Sequence, residues 1–292
     1  MWVWLRDRDY YSRHRGDGKP KIAKNSDPCH PEREQKVGQQ FLERIKTRAN
    51  FYMSTPTAQS PGEAKKTTPF INNLGMPFVP VPNFETLFCI WPTRVQDYTA
   101  YAKEKGTEVP SQTPASGSDH PVVNILWKEA VDFCDWLTEL ERANGKLPEG
   151  LVYRLPSDLE WSAAVGLPAE EGARPDQRSG QLDGYPWGTQ WPPPKDAGNY
   201  SQELGIDSFE FTSPVGSFAA NEFGIFDLGG NVWEWCLDYH DRANECRVLR
   251  GASWFNGYAD RMKSSFRNDL GYPTSRFTSF GFRVVLGVPA KR

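Results

Sequence analysis

Glycine and proline interrupt this chain at nearly one residue in six, 25 and 24 of 292, which leaves little room for long periodic elements. Between the breaks lies a heavy aromatic load of 11 Trp, 11 Tyr and 17 Phe. Each ring buries a large apolar area. The combination predicts a core of side chains carried largely on loops, with little regular secondary structure.

Net charge is −3, too near neutral to imply nucleic acid or an anionic membrane as partner. The charge is unevenly placed. Residues 1–70 carry 14 Lys/Arg against 8 Asp/Glu, whereas residues 71–292 carry 20 against 29. With the Thr/Pro/Ser/Lys-rich stretch Ser54–Pro69, this split predicts a basic, largely flexible arm over 1–70 and a folded domain over 71–292. No apolar run approaches the ~18 residues of a membrane span. Met1-Trp2-Val3-Trp4-Leu5-Arg6-Asp7 turns charged too early for a signal peptide and reads as the cut end of a longer frame joined to another domain. The cysteines, at 29, 89, 134, 236 and 246, are odd in number and lack C-x-x-C spacing. Free thiols and a cytoplasmic location are the expectation, with a Cys236–Cys246 bridge left open.

Local patterns place a few elements. Gln35 to Tyr52 has a weak helical pattern. Met76–Val81 and Thr86–Trp91 read as a hairpin around Pro82-Asn83. Val95, Tyr98 and Tyr101 have helical spacing behind Thr93 as N-cap. Ala130, Phe133, Cys134, Leu137 and Leu140 predict a helix from Leu126 to about Asn144, stopped by Gly145. Ser157 caps a shorter helix through Trp161 to Val165. From Gly166 to Asn221 nothing is periodic, which points to functional loops or bound ions.

Several segments, in this order, resemble the formylglycine-generating enzyme (sulfatase-modifying factor) family. They are Asn73-Leu74-Gly75-Met76 with Phe78–Val81, Thr93-Arg94-Val95, Pro121–Ile125, and Tyr153–Ser157 with Glu160-Trp161. Then follow Tyr185–Gly188, Pro214–Ser217, Gly229–Trp235, Arg247–Trp254 and Gly281–Val285. The resemblance implies an α+β, C-type-lectin-like fold: two main helices, small antiparallel sheets and many loops. Arg154, Arg250 and Arg283 sit in strand-like apolar segments, where a buried guanidinium needs carboxylate or carbonyl partners. Glu160 and Glu234 are the candidates, and ion pairs fixing loops to the core are their expected role.

Asp227-Leu228-Gly229-Gly230-Asn231-Val232-Trp233-Glu234 sets two carboxylates around a Gly-Gly turn, a pattern able to offer oxygens to a hard cation such as Ca²⁺. A metal-free Asp turn with a Glu–Arg pair is the alternative. The resemblance implies structural calcium here, held by the Asp227 and Glu234 side chains and the Gly230 and Val232 carbonyls. A second implied site uses the Asn199 and Asp207 side chains and the Tyr200 and Phe209 carbonyls.

The family's oxidase uses two cysteines, five apart, that hold copper as thiolates, a soft-ligand site suited to Cu(I). Their positions fall on Asn256 and Arg261, and no cysteine follows Cys246. No copper is therefore expected. His14, His30, His120 and His240 are isolated, so the family's three-histidine iron site has no counterpart either. The preferred reading is a calcium-stabilised binding module taking an unknown protein or small ligand at its C-terminal loops. Aromatic and Arg groups are enriched at binding hot spots, and Phe255, Asn256, Tyr258, Asp260, Arg261, Tyr272, Arg276 and Phe277 are the candidate contacts. Trp254 and Phe266 are expected to fill core. The alternative is an enzyme, a formylglycine-generating oxidase or a diverged oxidoreductase.

Overall fold

The structure, a computed structural model, describes residues 56–290. His14, Cys29, His30 and the pattern in Gln35–Tyr52 lie outside the described residues.

Three helices form where the apolar spacing places them. Helix α1 spans Val95–Lys105. Its start is one residue later than expected, because the Thr93 backbone is already committed: its N–H donates to Phe282 (2.9 Å) and its carbonyl accepts from Val122 (2.9 Å). Arg94 takes the cap position, and the Asp97 carboxylate accepts its N–H at 3.0 Å and its guanidinium at 2.8 Å. Helix α2, Trp127–Ala143, buries Ala130, Phe133, Cys134 and Leu137 on one side. Glu129 accepts the Leu126 N–H (2.9 Å) at its start, and Gly145 turns the chain away at φ +68°. Helix α3, Asp158–Val165, opens with a reciprocal cap in which Ser157 Oγ accepts the Glu160 N–H and Glu160 accepts the Ser157 N–H. A one-turn helix α4 follows at Pro175–Arg178.

Strands β1 (Phe70–Ile71), β2 (Pro77–Pro80) and β3 (Leu87–Cys89) form an antiparallel meander that contains the expected hairpin. β4 (Val152–Arg154) and the C-terminal strand β8 (Val285–Gly287) complete a five-stranded antiparallel sheet, order β1-β2-β3-β8-β4. The second sheet differs from the antiparallel expectation. In it β5 (Trp233–Tyr239) lies between antiparallel β6 (Arg247–Arg250) and parallel β7 (Phe280–Phe282). The parallel pairing follows from the long connection 251–279, which returns the chain in the same direction as β5. That connection includes α5, a single turn at Ala259–Met262.

Part of the expected linker has regular contacts. Pro61 is buried in a 3-10 turn, Pro61–Glu63, and Ala58 forms a parallel bridge with Phe70. Proline pre-organises the turn, and the Ala58 N–H finds its acceptor in Pro69 (3.1 Å). Polar composition therefore misjudged residues 56–69. No helix among the described residues is long and apolar enough to cross a membrane.

Aromatic rings fill the core as the composition suggests. Trp161, Trp233, Trp235, Tyr153, Phe78, Phe88, Phe133 and Phe282 are all essentially sealed from solvent. Beside them lie buried ion pairs. Arg154 grips both oxygens of Glu160 at 2.7 Å, and Arg283 meets Glu234 at 2.7 Å. Arg250 does not use either expected glutamate. It meets the fully buried Asp158, which also holds Arg178 and Arg267, each at 3.0 Å. Arg247 follows another rule: it pairs with no carboxylate among the described residues and lies between the rings of Trp127 (3.8 Å) and Tyr239 (3.5 Å).

These two solutions differ in cost when disturbed. Burial raises the Asp158 pKa, but Arg250, Arg267 and Arg178 outweigh burial and hold the carboxyl well below the ordinary range. Its contribution to stability is therefore present above about pH 4 and lost only as pH falls further. Asp158→Ala leaves Arg178 and Arg250 buried without a carboxylate, while Arg267 keeps Glu170, and is expected to cost about 3–5 kcal/mol at pH 7. Arg247→Met keeps the apolar stem between the rings and is expected to cost about 1 kcal/mol, the scale of the cation–π contacts. Urea unfolding of the two variants measures both, and equal losses would refute the distinction.

Candidate functional site

The connection between β6 and β7 carries the two positions where the family's cysteines would stand. Asn256 is buried, and its Oδ1 accepts from the Ser253 N–H (2.9 Å) and the Ser253 hydroxyl (2.8 Å). Its carbonyl accepts the Ser201 N–H at 3.0 Å. The side chain closes the turn after Arg250-Gly251-Ala252-Ser253, so its place among the exposed contact residues is corrected. Arg261 is half-buried over Phe266, 4.9 Å from the ring centre. Neither side chain offers a thiolate.

The remaining thiols sit elsewhere. Cys89, Cys134, Cys236 and Cys246 are free and buried, so Cys236 and Cys246 are not bridged. Burial pushes Cys89 up to about 12, and raises both Cys236 and Cys246. These are thiols at neutral pH, poor nucleophiles and poor copper ligands.

The other expected contact residues divide by exposure. Phe255, Tyr258 and Tyr272 are 38%, 59% and 48% exposed, and the Asp260 carboxylate is open to solvent. Arg276 is also exposed, but its guanidinium pairs with Glu129 and donates to the Asn124 carbonyl, fastening the loop to α2. Phe277 is half-buried against Phe280, ring centres 4.8 Å apart. Within the same loop Arg267 and Asn268 point inward and are sealed from solvent. Trp254 and Phe266 are half-buried rather than fully in the core.

Sequence reading missed an aromatic ladder beside this loop. Trp187 stacks on Tyr185 at 4.8 Å and 3°, Trp191 lies 5.7 Å beyond Tyr185, and Tyr200 meets Trp187 edge-on. The tight Tyr185–Gly188 bridge brings the first two rings together. The Trp-x-x-x-Trp spacing at 187 and 191 was the available signal.

The oxygens expected to hold calcium form two neighbouring groups. Asn199 is fully buried; its Nδ2 donates to the Phe211 carbonyl (2.8 Å), while its Oδ1 has no hydrogen-bond partner. An orphaned buried acceptor costs stability unless a ligand satisfies it. Asp207 lies near, accepting the N–H groups of Tyr200 (3.1 Å) and Phe209 (2.9 Å). These residues fit a hard cation. The second group is differently arranged. Asp227 accepts the Gly216 N–H at 2.7 Å, and Glu234 gives both oxygens to Arg283 and one also to Trp161 Nε1. The carboxylate there is already neutralised, so its donor set fits a cation less well. The two groups abut at Gly230, where a Cβ would lie 2.4 Å from the Asn199 carbonyl oxygen.

Comparison with known proteins bears on this arrangement. Residues 36–288 match the family described as "Sulfatase-modifying factor enzyme 1-like domain". The chain is 33% identical over 178 residues to the "Inactive C-alpha-formylglycine-generating enzyme 2" of Bos taurus, covering 58% of this chain and 51% of that protein. To the "Formylglycine-generating enzyme" of Thermomonospora curvata it is 32% identical over 142 residues, 46% of this chain and 39% of that protein. The chain thus spans about half or less of these relatives. The solved structure of PvdO from Pseudomonas aeruginosa aligns with a TM-score of 0.50 at 20% identity, covering 80% of this chain and 90% of that one, a likeness of fold. With the motifs on these strands and turns and a match over most of its length, this chain belongs to the sulfatase-modifying-factor, formylglycine-generating-enzyme-like family.

Proposed function

We propose that this domain is a non-catalytic member of its family, a calcium-stabilised module that binds a protein or small ligand through its C-terminal loops. The observation that carries this reading is Asn256. Aldehyde formation on a peptide cysteine requires a redox centre that side chains alone do not supply. Here the first thiolate position is filled by an amide that holds the loop closed on Ser253. The relative named as inactive, 33% identical, is consistent with loss of chemistry on this fold. Exposed Phe255, Tyr258 and Tyr272 give the same loops a binding surface of rigid rings.

Incubated with a cysteine-containing sulfatase peptide and copper, the protein is expected to leave the peptide mass unchanged. Aldehyde above the protein-free control, read by mass spectrometry, would overturn the reading. Asn256→Cys with Arg261→Cys is expected to restore copper binding more readily than turnover. The acceptor of the Ser253 turn, Asn256 Oδ1, is lost in that variant, and an error of about 1 Å in a site can cost roughly a hundredfold in rate.

The calcium part rests on the unpartnered Asn199 Oδ1 beside Asp207. Their side chains, with the carbonyls of Tyr200 and Phe209, would hold the ion. When bound, it supplies charge compensation and loop order, with no chemistry on a ligand. Asp227, Gly230, Val232 and Glu234 form the weaker candidate, since Glu234 is bound to Arg283. At a hundredfold excess over its dissociation constant calcium adds about 2.7 kcal/mol to folded stability. Chelation is expected to lower the melting temperature, and Asn199→Ala to remove that response. A melting temperature indifferent to chelator would refute it.

A further inference from the structure

Helix α2 ends beside the β1–β2 turn, and an acid makes the contact between them. The turn is built on Asn72, whose Oδ1 accepts the Leu74 and Met76 N–H groups at 3.0 and 2.9 Å, so the chain folds around one side chain. Glu141, in the last turn of α2, accepts the Asn73 N–H on Oε1 at 2.9 Å. Its other oxygen, Oε2, has no hydrogen-bond partner, and the residue is sealed from solvent. The Asn72 Nδ2 and the Tyr153 hydroxyl are buried and unpartnered as well. Glu141 and Asn72 both act on that hydroxyl, so the three groups are neighbours.

Asp97, Asp158, Glu160 and Glu234 are sealed carboxylates too, and each meets a guanidinium. Glu141 pairs with no cation among the described residues. The titratable groups around it are Tyr153 from β4, the exposed Lys146 just past the helix end and, behind Tyr153, Cys89 of β3. The turn brings only amides. Burial outweighs the Asn73 N–H and the Lys146 charge and raises the Glu141 carboxyl above its ordinary range. A charge on a bare, enclosed oxygen is costly, whereas a protonated Oε2 is itself a donor and leaves Oε1 free to keep the Asn73 N–H.

We propose that Glu141 is a neutral acid in the folded protein and acts as a proton-operated clasp on the 72–76 turn. Protonated, it holds the turn against α2. Ionised, it draws water and lets the turn and β1 detach. A carboxyl that folding makes harder to ionise adds stability below the ordinary range, about pH 4, and that stability is lost as pH rises through its folded pKa. Asp158 has the opposite sign, since its contribution is lost on acidification. The clasp gives the segment Asn73-Leu74-Gly75-Met76 a task that needs no metal and does not depend on the domain being a binding module.

The test follows amide hydrogen exchange of the full chain between about pH 5 and 8, with chelator present throughout. Each rate is divided by that of the unfolded chain at the same pH. Protection of the Asn73, Leu74 and Met76 amides is expected to fall with rising pH, about tenfold per unit once the folded pKa is passed, while Phe133 in the middle of α2 keeps its protection. Carbon-13 titration of the glutamate carboxyls, assigned by through-bond correlation, is expected to place Glu141 above the ordinary range. Glu141→Gln keeps an acceptor for Asn73 and cannot ionise. It is expected to flatten the exchange profile and to stabilise the protein at the alkaline end but not at the acid end. The first two measurements need no variant and decide the matter if this one does not fold. Protection at 73–76 that is constant with pH, a Glu141 carboxyl that ionises in or below the ordinary range, or a Glu141→Gln effect equal at both ends overturns the inference.

Discussion

The buried carboxylate of Asp158 is the point on which the rest of the fold depends. It lies at the first residue of α3, where the helix dipole favours a negative charge, and its two oxygens collect Arg178 from α4, Arg250 from β6 and Arg267 from the long β6–β7 connection. Arg267 also reaches Glu170 and Ser162. Two helices, a strand and an irregular connection are thereby tied at one place. In a chain so interrupted by glycine and proline, hydrophobic contact alone would define the loop positions poorly. Directional hydrogen bonds to a sealed guanidinium define them well. Removal of one partner from such a cluster leaves uncompensated charge in the core, which makes it a fold-specifying device and a vulnerability together.

Elements built on local periodicity were legible. The helix from Leu126, the cap at Ser157 and the hairpin after Met76 all stand where the apolar spacing and capping residues put them. Glu160 and Glu234 were legible as partners of buried arginines, because a guanidinium in an apolar segment needs a carboxylate, but which arginine each takes was not. What failed was nonlocal. Asp158, 92 positions from Arg250, carries no sequence mark that separates it from an ordinary first-turn acid. The parallel pairing of β5 with β7 is set by the path of an irregular connection, and no strand pattern encodes it. Residues 56–69 were misjudged because composition reports solvation, whereas their bridge to Phe70 depends on a neighbouring sheet edge. In the loop, residue type could not separate outward Tyr258 from inward Asn256 and Arg267. Only the hydrogen-bond partners decide that.

Position 256, where the resemblance would place a cysteine, holds a side chain that supports its own loop. An asparagine in place of a thiol offers an acceptor of suitable reach, and two donors from Ser253 use it. Glu234 resembles it in this respect. Among the oxygens the family would assign to a cation, it is the one already neutralised by an arginine, whereas Asn199 keeps an unsatisfied oxygen.

Strands β6 and β7 flank β5 on either side, so the ends of the 251–279 connection are pinned about two strand spacings, roughly 10 Å, apart. Between those ends Arg267 is anchored to Asp158, which divides the connection into two shorter arcs, each closed at both ends. Loop-closure entropy grows only slowly with length, about 0.6 kcal/mol per doubling. Each arc is thus closed over about half the length of the whole connection, and the Trp254 Nε1 donation to the Thr278 carbonyl (3.1 Å) ties the two together. The connection is in this sense a double loop held at one clasp, Arg267 on Asp158.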